Sequence, residues 1–116
     1  MVAEAGKTIM IYCENEILRF AEFFQELPKG TAIVHLEMDD IFEARKRFPN
    51  LCLAGGFPID LLGHGTPEQC VDYAKRLIDG MGEGFIMSQT KMACFPGDCR
   101  RENLLAVNDF ARNYAL

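Results

Sequence analysis

The sequence predicts an α/β fold: four consecutive strand-then-helix units in a single domain, residues 1–116. Short runs rich in β-branched and aromatic residues recur along the chain, apolar residues spaced three and four apart follow them, and proline or glycine punctuates the units. Alternation of this kind calls for right-handed crossovers and a parallel sheet. A chain of 116 residues, 49% hydrophobic and 25% charged, has room for one core and the balance of an ordinary globular domain.

The first strand is read over Thr8 to Cys13 (TIMIYC). Its helix runs from Glu16 to Leu27 with Ile17, Phe20, Ala21, Phe24 and Leu27 on one face, and Pro28-Lys29-Gly30 stops it. Thr31 to Glu37 (TAIVHLE) is the second strand, and Asp39-Asp40 offers an N-cap for a helix carrying Ile41, Phe42, Ala44 and Arg45 up to Phe48-Pro49. Leu51 to Ala54 is the third strand, ending in Gly55-Gly56-Phe57-Pro58. Thr66-Pro67-Glu68-Gln69 then supplies an N-cap, a proline in the first turn and a polar residue three on. That helix places Cys70, Val71, Ala74, Leu77, Ile78 and Met81 on one face and ends at Gly80 to Gly84. Phe85 to Ser88 is the fourth strand. After a loop from Gln89 to Arg100, a last helix is expected to bury Leu104, Leu105, Val107, Phe110 and Ala111.

A net charge of −5 argues against nucleic acid, which is held by clustered cations that release counterions. Arg45, Lys46 and Arg47, and Arg100 with Arg101, are read as solvated helix faces. No apolar run reaches the ~20 residues that span a bilayer, and the first residues lack the basic-then-apolar pattern of a leader, so a membrane partner is set aside and a cytoplasmic location is expected. Five cysteines at irregular spacing fit free thiols or a metal site better than a disulfide framework.

Two closures satisfy the pattern. An open sheet with helices on both faces is the generic doubly wound solution. Four units curled into half of a (β/α)₈ TIM barrel instead put every helix outside and leave the inner face and two edges bare. The order of motifs bears on the choice: CEN after the first strand, LPKG before the second, DIFEARKRFP in the second helix, CLAGGFPIDLL, GTPEQCVDYAKRLIDGMGEGFIMS, and the terminal RENLLAVNDFA. Together these strings, covering nearly all the chain, resemble the C-terminal half of the uroporphyrinogen decarboxylase-like superfamily.

The resemblance implies the half-barrel, with a site at the C-terminal ends of the strands. It also implies that the arginines and aspartate with which true decarboxylases hold a tetrapyrrole lie largely in the other half of the barrel, which makes tetrapyrrole decarboxylation by these residues alone unexpected. The branch that fits better is the corrinoid- and thiol-linked methyltransferases, in which zinc turns a thiol into a nucleophile and a corrinoid serves as methyl donor or acceptor. Their zinc set, as the resemblance implies it, is His-x-Cys after one strand, sometimes a Glu after the next, and a late Cys. Here the matching places hold Ile11-Tyr12-Cys13, Glu37 and Cys94, so the histidine is missing and His35 is its possible substitute.

Each candidate has a plainer alternative. Cys13 reads equally as a small buried hydrophobe, Cys52 and Cys70 as core positions, and Cys94 and Cys99 as free thiols. Glu14 and Glu37, each just after a strand, could share a proton or cation at one barrel mouth as catalytic carboxylates, or be solvated. Gly55 and Gly56 could let backbone pass close to a cofactor, or form a tight turn. Ser88 and Thr90 could bind a small-molecule ligand or cap backbone, and His64 reads as solvated. The expected partner is a second copy, each first strand pairing with the other's fourth, or a complementary half-barrel chain. The rival functions are a non-catalytic ligand-binding subunit, a decarboxylase fragment and a stand-alone open domain.

Overall fold

In the computed structural model, which describes residues 2–114, the four strands form one parallel sheet. They are β1 (Ile9–Cys13), β2 (Ala32–Leu36), β3 (Cys52–Phe57) and β4 (Phe85–Gln89), in the order β1-β2-β3-β4. The register sets Tyr12 opposite His35, His35 opposite Ala54, and Gly56 opposite Ser88. Helices α1 (Ala21–Gln25), α2 (Ile41–Arg47), α3 (Ile59–His64), α4 (Pro67–Met81) and α5 (Arg101–Asn113) fill the connections and the C-terminal segment.

Strands laid down one after another in a single direction carry right-handed crossovers onto one face of the sheet. The core follows that rule. Val34, Leu36 and Leu53 pack with Ala21, Ile41, Ala44, Leu62, Cys70, Ala74, Leu77 and Val107 in one cluster, so every helix contributes to the same side. The alternate strand positions face the other way, where Met10 (61% exposed), Tyr12 and Ile86 meet solvent. The doubly wound arrangement, with helices on both faces, is not what forms. Among the described residues no helix is long and apolar enough to cross a membrane.

Two predicted caps are present. Asp40 Oδ1 accepts the Glu43 N–H at 2.8 Å, and Thr66 and Gln69 close a reciprocal capping box with Pro67 in the first turn. The first helix is shorter than its periodicity suggests: a 3₁₀ turn over Leu18–Phe20 leads into the five residues of α1. Asn15 adopts φ +61°, and the N–H groups of Ile17 and Leu18 donate to the Asp39 carboxylate at 2.7 and 3.3 Å, so the chain is anchored to the second unit before it can wind.

The third strand does not end at Ala54 but runs through both glycines. A Cβ on Gly55 would lie 2.6 Å from the Leu36 carbonyl, and one on Gly56 3.1 Å from Ile41 Cγ2; with φ of +110° and +82°, both positions exclude other residues without strain. Here the glycines serve close packing inside a strand rather than a turn. The segment after Pro58 forms α3, between the end of β3 and the capping box of α4.

Two burial expectations are corrected. Leu104 and Leu105 are 44% and 45% exposed, because α5 packs along α4 and α3 and turns these residues away from the core. Arg45 is not solvated: its guanidinium donates to the Leu51 carbonyl at 2.9 Å and the Gly84 carbonyl at 2.7 Å, clamping the entries of β3 and β4, and burial lowers its pKa.

Asn103, fully buried, was not singled out in the sequence. Its Nδ2 donates at 2.9 Å to the carbonyls of both Leu62 and Gly65, tying α5 to the end of α3. Asn103→Ala leaves the Gly65 carbonyl without this donor, while Leu62 keeps the Arg100 N–H at 2.9 Å, and a loss of about 1–3 kcal/mol in urea unfolding is expected. A change below about 0.5 kcal/mol, the scale of a neutral surface substitution, would show the tie to be dispensable.

Candidate functional site

The C-terminal ends of the strands gather the polar residues of the helix-free face. Tyr12 on β1 and His35 on β2 are cross-strand neighbours, and their rings stack with centroids 4.5 Å apart and planes 17° from parallel. His35 is buried, and its Nε2 lies 3.0 Å from the Gln89 carbonyl at the end of β4. A carbonyl only accepts, so Nε2 carries the hydrogen; Nδ1 is buried and has no hydrogen-bond partner. The Tyr12 hydroxyl donates to the Thr90 carbonyl at 3.5 Å.

Glu37 continues the alternation of His35 and anchors the mouth. Its Oε2 accepts the Asn15 N–H at 2.6 Å, and its Oε1 lies 3.4 Å from Lys91 Nζ. The Asn15 hydrogen bond, then Lys91, hold its carboxyl below the usual range despite an opposing desolvation. Burial, followed by the negative charges of Glu37 and Glu14, pushes the Tyr12 phenol up, while Lys91 pulls it down and Cys94 raises it further. Those side chains therefore share one electrostatic neighbourhood around the Tyr12 hydroxyl.

Of the residues singled out in the sequence, His35 and Glu37 face this end of the sheet, and Glu14 and Cys94 lie near enough to raise the Tyr12 phenol by their charge. Cys13 is not among them. It stands opposite Leu36, packs in the helix-side core with Ile17 and Ala21, and is separated by the sheet from His35. Burial, then the charge of Asp39, raises its thiol, which opposes the thiolate that zinc requires. Glu37 already binds an N–H and an ammonium. Among the described residues, no three His, Cys, Asp or Glu side chains are grouped to hold a metal ion. The implied zinc set thus does not fit the chain as folded, and no step is drawn through zinc or a corrinoid.

Of the remaining candidates, the glycines and Thr90 have structural partners. Gly55 lies behind the imidazole, where an added Cβ would sit 3.6 Å from His35 Cε1, and Gly56 faces Ile41 and Leu77. Thr90 Oγ1 accepts the Ile59 N–H at 3.4 Å, and the Thr90 N–H donates to the Phe57 carbonyl at 2.8 Å, so its role is to cap backbone. Ser88 Oγ is buried without a partner. Cys94 is exposed, in a loop shaped by Asp98 Oδ2 accepting the N–H groups of Cys94 and Phe95. Cys70 is core, while Cys52 is only half-buried because it lies on the helix-free face, opposite Ile33.

Sequence reasoning missed Tyr12 and Lys91. Strand alternation could have found the first: if Cys13 faces one side, Tyr12 must face the other, together with His35 and Glu37. Lys91 sits in the loop after β4, where no periodicity points. A scan of family models and a search of curated proteins return no match to this chain.

The lowered Glu37 carboxyl sets a pH dependence. A carboxylate depressed on folding contributes stability that is complete above the ordinary glutamate pKa of about 4.3 and is lost as pH falls through the lower folded value. The urea midpoint of the native chain is expected to exceed that of Glu37→Gln at pH 6, and the gap is expected to narrow as pH falls below about 4.3. Parallel curves for the two proteins down to pH 3 would show that the Asn15 and Lys91 contacts do not discriminate charged from neutral Glu37.

Proposed function

We propose that this chain is a half-barrel of the uroporphyrinogen decarboxylase-like type that binds a small molecule at a mouth completed by a complementary half. The observation that carries the reading is the one-sided sheet: four parallel strands in sequence order, all helices on one face, and an apolar face of Met10, Tyr12, Ile33 and Ile86 left to be covered. Parallel sheets are stable when both faces are covered. In a (β/α)₈ barrel the second face is covered by the strands across the barrel, and ligands sit at the C-terminal strand ends.

The polar residues of that face lie at those ends. The Tyr12–His35 stack gives a flat surface suited to a planar group, and Lys91 beside Glu37 and Glu14 supplies charges of both signs. The proposal is of binding, with no chemical step. The thiol and carboxylates named as candidates do not converge on a common point, and Glu37 is engaged as a loop clamp.

Methionine oxidation tests the closure. Met10 on the inner face and Met92 in the mouth loop are 61% and 69% exposed in the single chain, so their thioethers should react with hydrogen peroxide at similar rates. In the assembled species Met10 is expected to oxidise at least about tenfold more slowly than Met92. Equal rates in a species larger than 13.1 kDa would mean that assembly leaves the inner face open and that the half-barrel reading is wrong.

A further inference from the structure

The helix layer, like the sheet, has two unfinished flanks. Beside β1, Ile9, Phe20 and Phe23 are exposed, Phe23 at 65%. Beside β4, α5 leans on α4, and a small cavity opens between β4 and α5, lined by Met87 and Ser88 on the strand and Leu104 and Val107 on the helix. Each flank lacks what the other offers. Ile9 shares the alternation of Ile11, which packs against the helix-side core, but has no helix over it. Leu104 has a helix-side position with no strand beyond β4 beneath it.

The charges are complementary as well. On α5, Arg101 and Arg112 bracket Leu104 along one stripe of the helix, all exposed. On α1, Glu22 and the adjoining Glu26 lie one turn apart on the exposed side, next to the stripe of Phe20 and Phe23, with Arg19 over the Phe20 ring at 4.8 Å. Helices in a βα barrel run parallel to one another, so a fifth helix beside a first helix brings Leu104 toward Phe20 and Phe23, with Arg101 and Arg112 on the outer side near Glu22 and Glu26.

Surface area sets the scale. The chain exposes 7618 Å², against about 6,400 Å² for a folded monomer of this mass. The excess, about 1,200 Å² per chain, is more than the ~800 Å² that each partner of a standard-size interface contributes. Its radius of gyration of 14.9 Å likewise exceeds the ~13.4 Å of a compact domain of this length.

Resting on the half-barrel reading, we propose that the complementary half is a second copy of this chain, docked by two equivalent seams. In each seam β4 pairs with the partner's β1 in parallel, and α5 covers Ile9 while Leu104 packs on Phe20 and Phe23. The Arg101/Arg112 stripe lies along Glu22/Glu26. The two-fold axis coincides with the barrel axis, and the mouth then holds two Tyr12–His35 stacks facing each other, one from each copy.

Charge reversal with mixing tests it in the full chain. One variant carries Glu22→Lys and Glu26→Lys; a second carries Arg101→Glu and Arg112→Glu. All four positions are exposed, and circular dichroism checks that both variants fold. Sedimentation should give a dimer for the native chain, self-association weakened about tenfold or more for each variant alone, and a heterodimer when the two are mixed one to one, because mixing restores opposite charges in both seams.

A native chain that stays monomeric at 100 μM, at about the mass of one copy, overturns the second-copy assignment, as does a dimer that neither variant weakens. Protection of Met10 in a complex with a different chain, with the native protein monomeric by itself, would also overturn it while leaving the half-barrel standing. A dimer in which Met10 oxidises as fast as Met92 removes the half-barrel and this proposal together.

Discussion

One topological constraint governs the structure: parallel strands added in sequence order with crossovers of a single hand can be covered by their own helices on one side only. The helix-side core is complete because α2 and α4 lie directly over the central strands, with Ile41, Ala44, Ala74 and Leu77 meeting Val34, Leu36 and Leu53. The other face has no such cover. Its small residues and rings partly shield one another, Ala54 lying under the Tyr12–His35 stack and the end of β4, but the outer strands leave Met10 and Ile86 in water. Exposed apolar side chains on one face of an ordered sheet are a stronger sign of a missing layer than the same residues scattered over helices.

Neighbouring units are joined by acidic side chains that reach across loops. Asp39, after β2, takes the backbone N–H groups of Ile17 and Leu18, and Glu37 takes that of Asn15, so the second unit shapes the loop of the first. Arg45 does the equivalent at the opposite end of the strands, holding the carbonyls of Leu51 and Gly84. These charged groups carry charge-assisted hydrogen bonds to backbone, which are worth more than the exposed ion pairs elsewhere on the chain. Glu37 therefore has an architectural use that competes with a catalytic one.

Much of the fold was legible in the sequence, since the strands and long helices follow from local patterns. Thr66-Pro67-Glu68-Gln69 is a self-contained helix start, and α4 begins there. What local pattern does not carry is contact between distant segments. The first helix is cut short by Asp39, more than twenty positions away, and Gly55 and Gly56 look like a turn until the Leu36 carbonyl and the Ile41 side chain are seen to crowd them. Leu104 and Leu105 have core-like spacing, yet they are exposed because burial depends on what lies beside the helix. In the candidate site, Glu14, His35, Glu37 and Cys94 were placed by their position after strands. Cys13 was misassigned to the same mouth because a residue's place at a strand end does not decide which face it takes; alternation does.

The same alternation connects the mouth to the bare face. His35 is buried although it points away from the helices, because Tyr12 stacks on one side of the ring and the Gln89 carbonyl holds its Nε2. Its Nδ1 remains an acceptor out of water with no donor, at a cost of about 1–3 kcal/mol for a group of this kind. Unpaired nitrogen and exposed methionine belong to one face, and no helix among the described residues lies on it. Closing that face with apolar strands would remove the exposure of Met10 and Ile86 and still leave Nδ1 unpaired. A layer over this face therefore meets Met10 and Ile86 and must be apolar there, while Nδ1 stays enclosed by the chain's own residues.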